Sequence, residues 1–143
     1  MQNAERYPFI NTNPALGEAG FRPYLPIALI SQPKSVITSA LLDTGESINV
    51  LPYSLGIELG CIWERQTTTL NLTGNLAQYE ARVLLLQVTI AQFEPVRLVF
   101  AWTKAENVPL ILGQVNFFME FDICFHRSQL YFDVCPKLEI LQQ

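Results

Sequence analysis

Residues 37–52 read ITSALLDTGESINVLP. An apolar, β-branched strand runs straight into Asp43-Thr44-Gly45, and the chain then turns apolar again. A carboxylate among so many aliphatics needs solvent, a partner or a chemical task, because desolvating a charge is costly. A strand ending in Asp-Thr-Gly predicts a tight turn, in which Gly45 can take a conformation that other residues avoid. Backbone N–H groups in such a turn can hydrogen-bond the carboxylate and favour its charged form. Three residues alone are weak grounds, since Asp and Gly are ordinary turn formers. The flanking sequence carries the reading.

Upstream, YLPIALI and SVITSALL are strand candidates parted by the turn-prone SQPK. Downstream, INVLP leads into YSLGIELG, which reads as a short helix stopped by Gly60. TTTLNL and YEARVLLLQVTIAQ are two further strands joined by TGNLAQ, with Gly74-Asn75 at the hairpin tip. VRLVFAWT, VPLILG and a short helical stretch around QVNFFMEF follow. Residues 1–23 carry Pro8, Pro14, Pro23, Gly17 and Gly20 without periodicity and read as an irregular N-terminal arm; residues 24–143 read as a single domain. Many short strands with one or two short helices predict a mainly β chain, folded as a closed or sandwich-like barrel.

The closing FDICFHRSQLYFDV predicts a hairpin with a two-residue turn at Arg127-Ser128. That register pairs Phe125 with Leu130, Ile123 with Phe132 and Phe121 with Val134, an all-apolar face. The opposite face then pairs Cys124 with Tyr131 and Asp122 with Asp133, read as a solvated surface rather than a metal site.

The totals narrow the function classes. The chain has 143 residues, half of them apolar and 15% charged, enough for one packed domain. A net charge of −4, with nine Lys and Arg and no basic patch, argues against nucleic acid as a partner. No apolar run is long enough to span a bilayer, and the N-terminus lacks the pattern of a secretory signal. Cys61, Cys124 and Cys135 are odd in number and lack metal-ligand spacing, so reduced thiols in a cytoplasmic protein are expected. With His126 the only histidine, neither a multi-histidine metal site nor a cofactor is expected.

ALLDTGESINVLP resembles the active-site loop of the retropepsin-like aspartic proteases, in which apolar residues precede Asp-Thr-Gly and an apolar run ending in Leu-Pro follows. Ile111-Leu112-Gly113, leading into QVNFFMEF, is similar to a second element of that family, and the terminal hairpin resembles its bacterial branch. The resemblance implies a retropepsin-like β-barrel working as a homodimer on peptide or protein substrates. It makes Asp43 the catalytic carboxylate, gives Thr44 a place in the hydrogen bonds that tie two active-site loops together, and brings Gly45 close to substrate. Ile111, Leu112 and Gly113 would support the loop from beneath. The segment from Leu72 through Thr73, Gly74 and Asn75 would belong to a flap that closes over the peptide.

One Asp-Thr-Gly per chain is half of such a site. Peptide hydrolysis in this family uses a water between two carboxylates that share one proton. The sequence has no second Asp-Thr-Gly or Asp-Ser-Gly, so the other Asp43 must come from a second copy. The chain departs from the family at Glu46, where Ala or Ser is usual. Glu46 reads as a tolerated surface residue, as a charge that shifts the working pH, as a substrate-pocket group that selects basic side chains, or as the mark of a chain that no longer cleaves. The alternatives are a catalytically silent dimerisation or peptide-binding module of the same fold, and an unrelated small barrel in which Asp43 only holds a turn.

Overall fold

A computed structural model describes residues 3–138. Its centre is a seven-stranded sheet built from β4 (Tyr24–Ser31), β5 (Lys34–Leu42), β6 (Asn49–Pro52), β7 (Thr69–Asn71), β8 (Glu80–Thr89), β9 (Val96–Thr103) and β10 (Ile111–Leu112). The strand order is β4-β5-β10-β6-β9-β8-β7, and β4 pairs again with β8. Six strands therefore close into a barrel, with β7 added at its margin. Closure removes the free edges that an open sheet would present.

Alternation along the strands fills this barrel. Leu25, Ile27 and Leu29 of β4 point inward with Leu84 and Leu86 of β8 and Leu98, Phe100 and Trp102 of β9. Polar or partly exposed residues stand between them, the period-2 pattern of a half-buried strand. The predicted β4–β5 hairpin forms, with Ser31 opposite Lys34. The predicted short helices are α1 (Tyr53–Glu58) and α2 (Phe117–Glu120). Gly60 follows α1 with φ +77°, the left-handed conformation that stops a helix.

A second sheet joins β1 (Glu5–Pro8), β12 (Tyr131–Pro136) and β11 (Phe121–His126), in the order β1-β12-β11; β2 (Ile10–Asn11) and β3 (Phe21–Arg22) form a small ladder nearby. The segment read as an irregular arm is thus partly ordered. β1 lies antiparallel to β12, with Glu5 opposite Val134 and Tyr7 opposite Phe132. Its strand signal is too short, and its partner too distant in sequence, to be visible in periodicity.

The terminal hairpin forms in a register two residues away from the expected one. Phe125 faces Phe132, Ile123 faces Val134 and Cys124 faces Asp133. A 3-10 turn at Arg127–Gln129 and a left-handed Leu130 lengthen the connection. A shift of two preserves which face each side chain occupies, so the apolar face survives while every partner changes. Asp122 and Asp133 are not opposed. Asp133 is buried rather than solvated, and accepts hydrogen bonds from Arg6 Nε at 2.8 Å and Nη2 at 3.1 Å, with His126 Nε2 at 3.3 Å. The Arg6 guanidinium, through that bidentate bond, holds the Asp133 carboxyl below the usual carboxylate range.

Candidate active site

Asp43 leaves the end of β5 where β10 has come to lie beside it. The two strands are parallel, with Leu41 opposite Ile111 and Leu42 opposite Leu112. Leu41 N–H donates to Leu110 O at 2.8 Å, and Asp43 N–H donates to Leu112 O at 3.1 Å. Past that anchor the chain turns. Gly45 N–H donates to Asp43 Oδ1 at 3.0 Å and Glu46 N–H to Asp43 O at 3.2 Å. The carboxylate thus accepts from its own turn while remaining only half-buried, open to a bound molecule. Thr44 and Gly45 are exposed at the crest.

A second segment braces the turn from below. Gln114 N–H donates to Glu46 O at 2.9 Å, Val115 N–H to Ser47 O at 2.8 Å, and the Gln114 amide to Thr44 O. A Cβ at Gly113 would lie 2.5 Å from Ile48 O and 2.8 Å from Glu46 O. Only glycine allows this approach of backbone to backbone. Ile111 and Leu112 point to opposite faces, as neighbours in a strand must: Leu112 into the barrel core, Ile111 onto its outer surface.

Two residues that the sequence reading did not single out hold the assembly together. Asn49, fully buried, accepts from Gly113 N–H at 2.9 Å through Oδ1 and donates to Val99 O at 3.0 Å through Nδ2. Asn116 Oδ1 accepts from Val99 N–H at 2.7 Å. Asn49 satisfies the buried Gly113 N–H, and the two amides together complete Val99 just before β6 begins to pair with β9. The signal was present: an Asn inside the apolar run INVLP can stay buried only if it is fully bonded.

The β7–β8 hairpin folds over an apolar floor on the outer face of the barrel. Val50, Ala81, Ala101 and Ile111 form that floor, and Leu72 is pressed into it, buried. Thr73, Gly74 and Asn75 are exposed above. The hairpin does not close at a tight Gly74-Asn75 tip. Residues 72–79 form a longer loop containing a 3-10 turn, Gly74–Leu76, with Gly74 at φ +63°. Glu46 is half-buried beside the turn and makes no ion pair among the described residues.

No protein-family model and no curated protein sequence matches this chain. Solved structures do match. A retropepsin-like aspartic protease from Rickettsia conorii superposes with a TM-score of 0.62 at 15% identity, over 92% of this chain and 91% of that one. The fold is retropepsin-like. EIAV protease in complex with the inhibitor HBY-793 matches less fully, with a TM-score of 0.47 at 17% identity over 65% of this chain and 82% of that one. In this retropepsin-like barrel Asp43, Thr44 and Gly45 stand together on one turn, with Ile111, Leu112 and Gly113 directly against it. Leu72, Thr73, Gly74 and Asn75 sit apart, on the hairpin over the floor. Among the described residues, no cluster of His, Cys, Asp and Glu could hold a metal ion, and no helix is long and apolar enough to cross a membrane.

Proposed function

We propose that the chain is an aspartic endopeptidase whose site is completed by a second copy, the two Asp43 carboxylates facing each other across a two-fold axis. The observation that carries this reading is the Asp43 turn itself: a half-buried carboxylate, held by the Gly45 N–H and buttressed by a Gly113 that tolerates no side chain. Two carboxylates that close cannot both ionise, so one serves as base toward a water while the other donates its proton to the scissile carbonyl. On collapse of the tetrahedral intermediate, the leaving amine takes the proton from one carboxyl while a hydroxyl of the diol gives its proton to the other, so the pair again holds one.

The rest of the chain supplies what the carboxylates lack. Exposed Thr44 is free to meet its counterpart on the axis. Beside it lies a hollow of about 250 Å³ bounded by Phe9, Pro23, Leu42, Thr44, Phe125 and Arg127, an apolar surface suited to the second copy. The peptide lies extended beneath the loop of residues 72–79, which excludes water from the reacting bond. Three free cysteines suit a reducing, cytoplasmic setting.

The test is cleavage of a diverse peptide mixture across pH 4 to 8 by the wild type and by Asp43→Asn. Cuts are expected from the wild type and none from the variant. Mixing the two in rising proportions separates a shared site from an independent one. A shared site makes total activity fall as the square of the wild-type fraction, an independent site makes it fall linearly, and the linear result overturns the two-copy site. A folded, dimeric wild type that cuts nothing overturns the protease.

A further inference from the structure

The end of the barrel away from Asp43 is closed by aromatic side chains. Trp102, near the end of β9, is fully buried and donates through Nε1 to Tyr53 O at 3.1 Å. The Tyr53 ring stacks on the Trp102 indole at 5.6 Å, and Trp63 stands edge-on to the two, at 5.7 and 5.1 Å. Strand register gives the separation from Asp43. Leu41, Ile111, Val50 and Ala101 share one row across β5, β10, β6 and β9. Asp43 lies two residues beyond that row in one direction and Lys104 three residues beyond it in the other. About 16 Å of strand length and three strand spacings therefore part them.

Outside this aromatic cap lies a hollow of about 480 Å³, bounded by Pro52, Tyr53, Ser54, Lys104, Glu106 and Asn107. Lys104 reaches it from a fixed backbone. Thr103, fully buried, donates through Oγ1 to Glu80 O at 3.3 Å, and the same oxygen accepts from Ala105 N–H at 3.1 Å. The Lys104 ammonium stands 4.8 Å from the centre of the Trp63 ring and 5.3 Å from that of Tyr53. Arg82, the other cation on Trp63, is fully occupied: Nε donates to Glu80 Oε1 at 3.1 Å and Nη1 to Trp63 O at 2.7 Å. Lys104 forms no ion pair among the described residues. Aromatic faces attract an ammonium but leave it N–H donors to spend elsewhere.

We propose that this hollow docks an acidic stretch of the polypeptide being cut, with Lys104 taking an Asp or Glu side chain far from the scissile bond. The proposal rests on the protease reading only for calling the bound chain a substrate. Glu106, on the same wall, repels a small free anion. A peptide satisfies both charges, since its carboxylate meets Lys104 while its backbone N–H groups meet Glu106 and the Asn107 amide. Val108 belongs both to the wall of the hollow and to the margin of the apolar floor, so an extended chain crossing that floor passes into the hollow. The acidic residue then falls roughly five to seven residues from the bond being cut. Because Lys104 is held in place before binding, little is lost in ordering it.

The chain has two tryptophans, and both stand in this cap, so their fluorescence reports on the hollow without any turnover. Asp43→Asn is titrated with blocked, tryptophan-free Ser/Thr decapeptides carrying a central pair of Glu, Gln or Lys. A saturable change is expected with the Glu peptide, with roughly two- to fivefold weaker binding of the Gln peptide, the size of an exposed charge pair. The difference should vanish in about 1 M NaCl, where charges are screened within about 3 Å. Adding Lys104→Met should erase it, Lys104→Arg should keep it, and Lys104→Glu should turn the preference toward the Lys peptide. Equal binding of the Glu and Gln peptides, an unaltered preference in Lys104→Met, or silence with every peptide overturns the site. In the active enzyme, Glu in place of Gln at the distal position should lower KM and leave kcat unchanged, and Lys104→Met should abolish the difference. A KM indifferent to that Glu overturns the docking of substrate and leaves the protease standing. Charge-selective fluorescence from a protein whose wild type cuts nothing sustains the acidic-peptide site and sinks the protease.

Discussion

Gly113→Ala tests the coupling between the two loops most directly. The added carbon would sit 2.5 Å from Ile48 O and 2.8 Å from Glu46 O, both backbone atoms that cannot rotate away. Carbon–oxygen contacts settle near 3.3 Å, so the loops must part by roughly 0.8 Å. That movement pulls on the bonds from Gln114 N–H to Glu46 O and from Val115 N–H to Ser47 O, which hold the segment behind Asp43. Overpacking of this kind costs about 1–3 kcal/mol, equivalent to a Tm lower by roughly 3–12 °C for a domain of this size. Catalysis should suffer more than stability, because a displacement near 1 Å costs on the order of 10²-fold in rate. Calorimetry and peptide cleavage at a temperature where the variant is fully folded measure the two effects. Gly74→Ala is the control: its Cβ meets nothing within 4 Å, so only the positive-φ strain, about 1 kcal/mol, is expected. A Gly113→Ala protein with wild-type Tm and wild-type rate would refute the buttress.

Other perturbations should act as follows. Asn49→Leu strands the buried Gly113 N–H, costing about 1–3 kcal/mol, while the partly exposed Val99 carbonyl can turn to water; hydrogen exchange at the Gly113 amide should accelerate. Gly56→Ala places a methyl group against the Trp102 indole and should cost about 1–3 kcal/mol, read by urea titration of tryptophan fluorescence. Arg6→Gln should flatten the acid limb of stability. Asp133 has a lowered folded-state pKa, so its contribution is fully present above the ordinary carboxylate value and is lost as pH falls through the folded one. Urea midpoints from pH 7 downward should therefore separate wild type from Arg6→Gln at neutral pH and converge in acid; parallel curves would contradict the assignment.

Much of this was legible in the chain. The alternation in YLPIALI and VRLVFAWT specifies strands with one face inside, and β4 and β9 follow it. Asp-Thr-Gly and Leu-Gly mark two loops, and only the resemblance to the retropepsin-like proteases implied that they meet; the structure puts Gly113 where the two backbones touch. What escaped was long-range or symmetric under the pattern used. β1 is four residues whose partner lies at the far end of the sequence, so no local period reveals it. The terminal hairpin kept its faces but not its partners, because a two-residue slip is invisible to a period of two. Leu130 supplied a left-handed turn residue where no glycine advertised one. Asn49 was hidden by its neighbours: in an apolar run a lone amide reads as an interruption, until its two backbone partners are known.

β10 is only two residues long, yet it separates β5 from β6 and receives the Asp43 amide. Its hold on the barrel is therefore slight compared with what depends on it. An outward movement of Leu110–Leu112 would release the Leu41 and Asp43 amides together, while the ten-residue β8 and its neighbours stay paired. Loss of the Asp43 turn is thus expected at a lower free-energy threshold than unfolding of the domain. On the proposed protease reading, cleavage should then be lost on warming below the melting temperature of the domain and return on cooling, which an activity–temperature curve laid beside calorimetry would check.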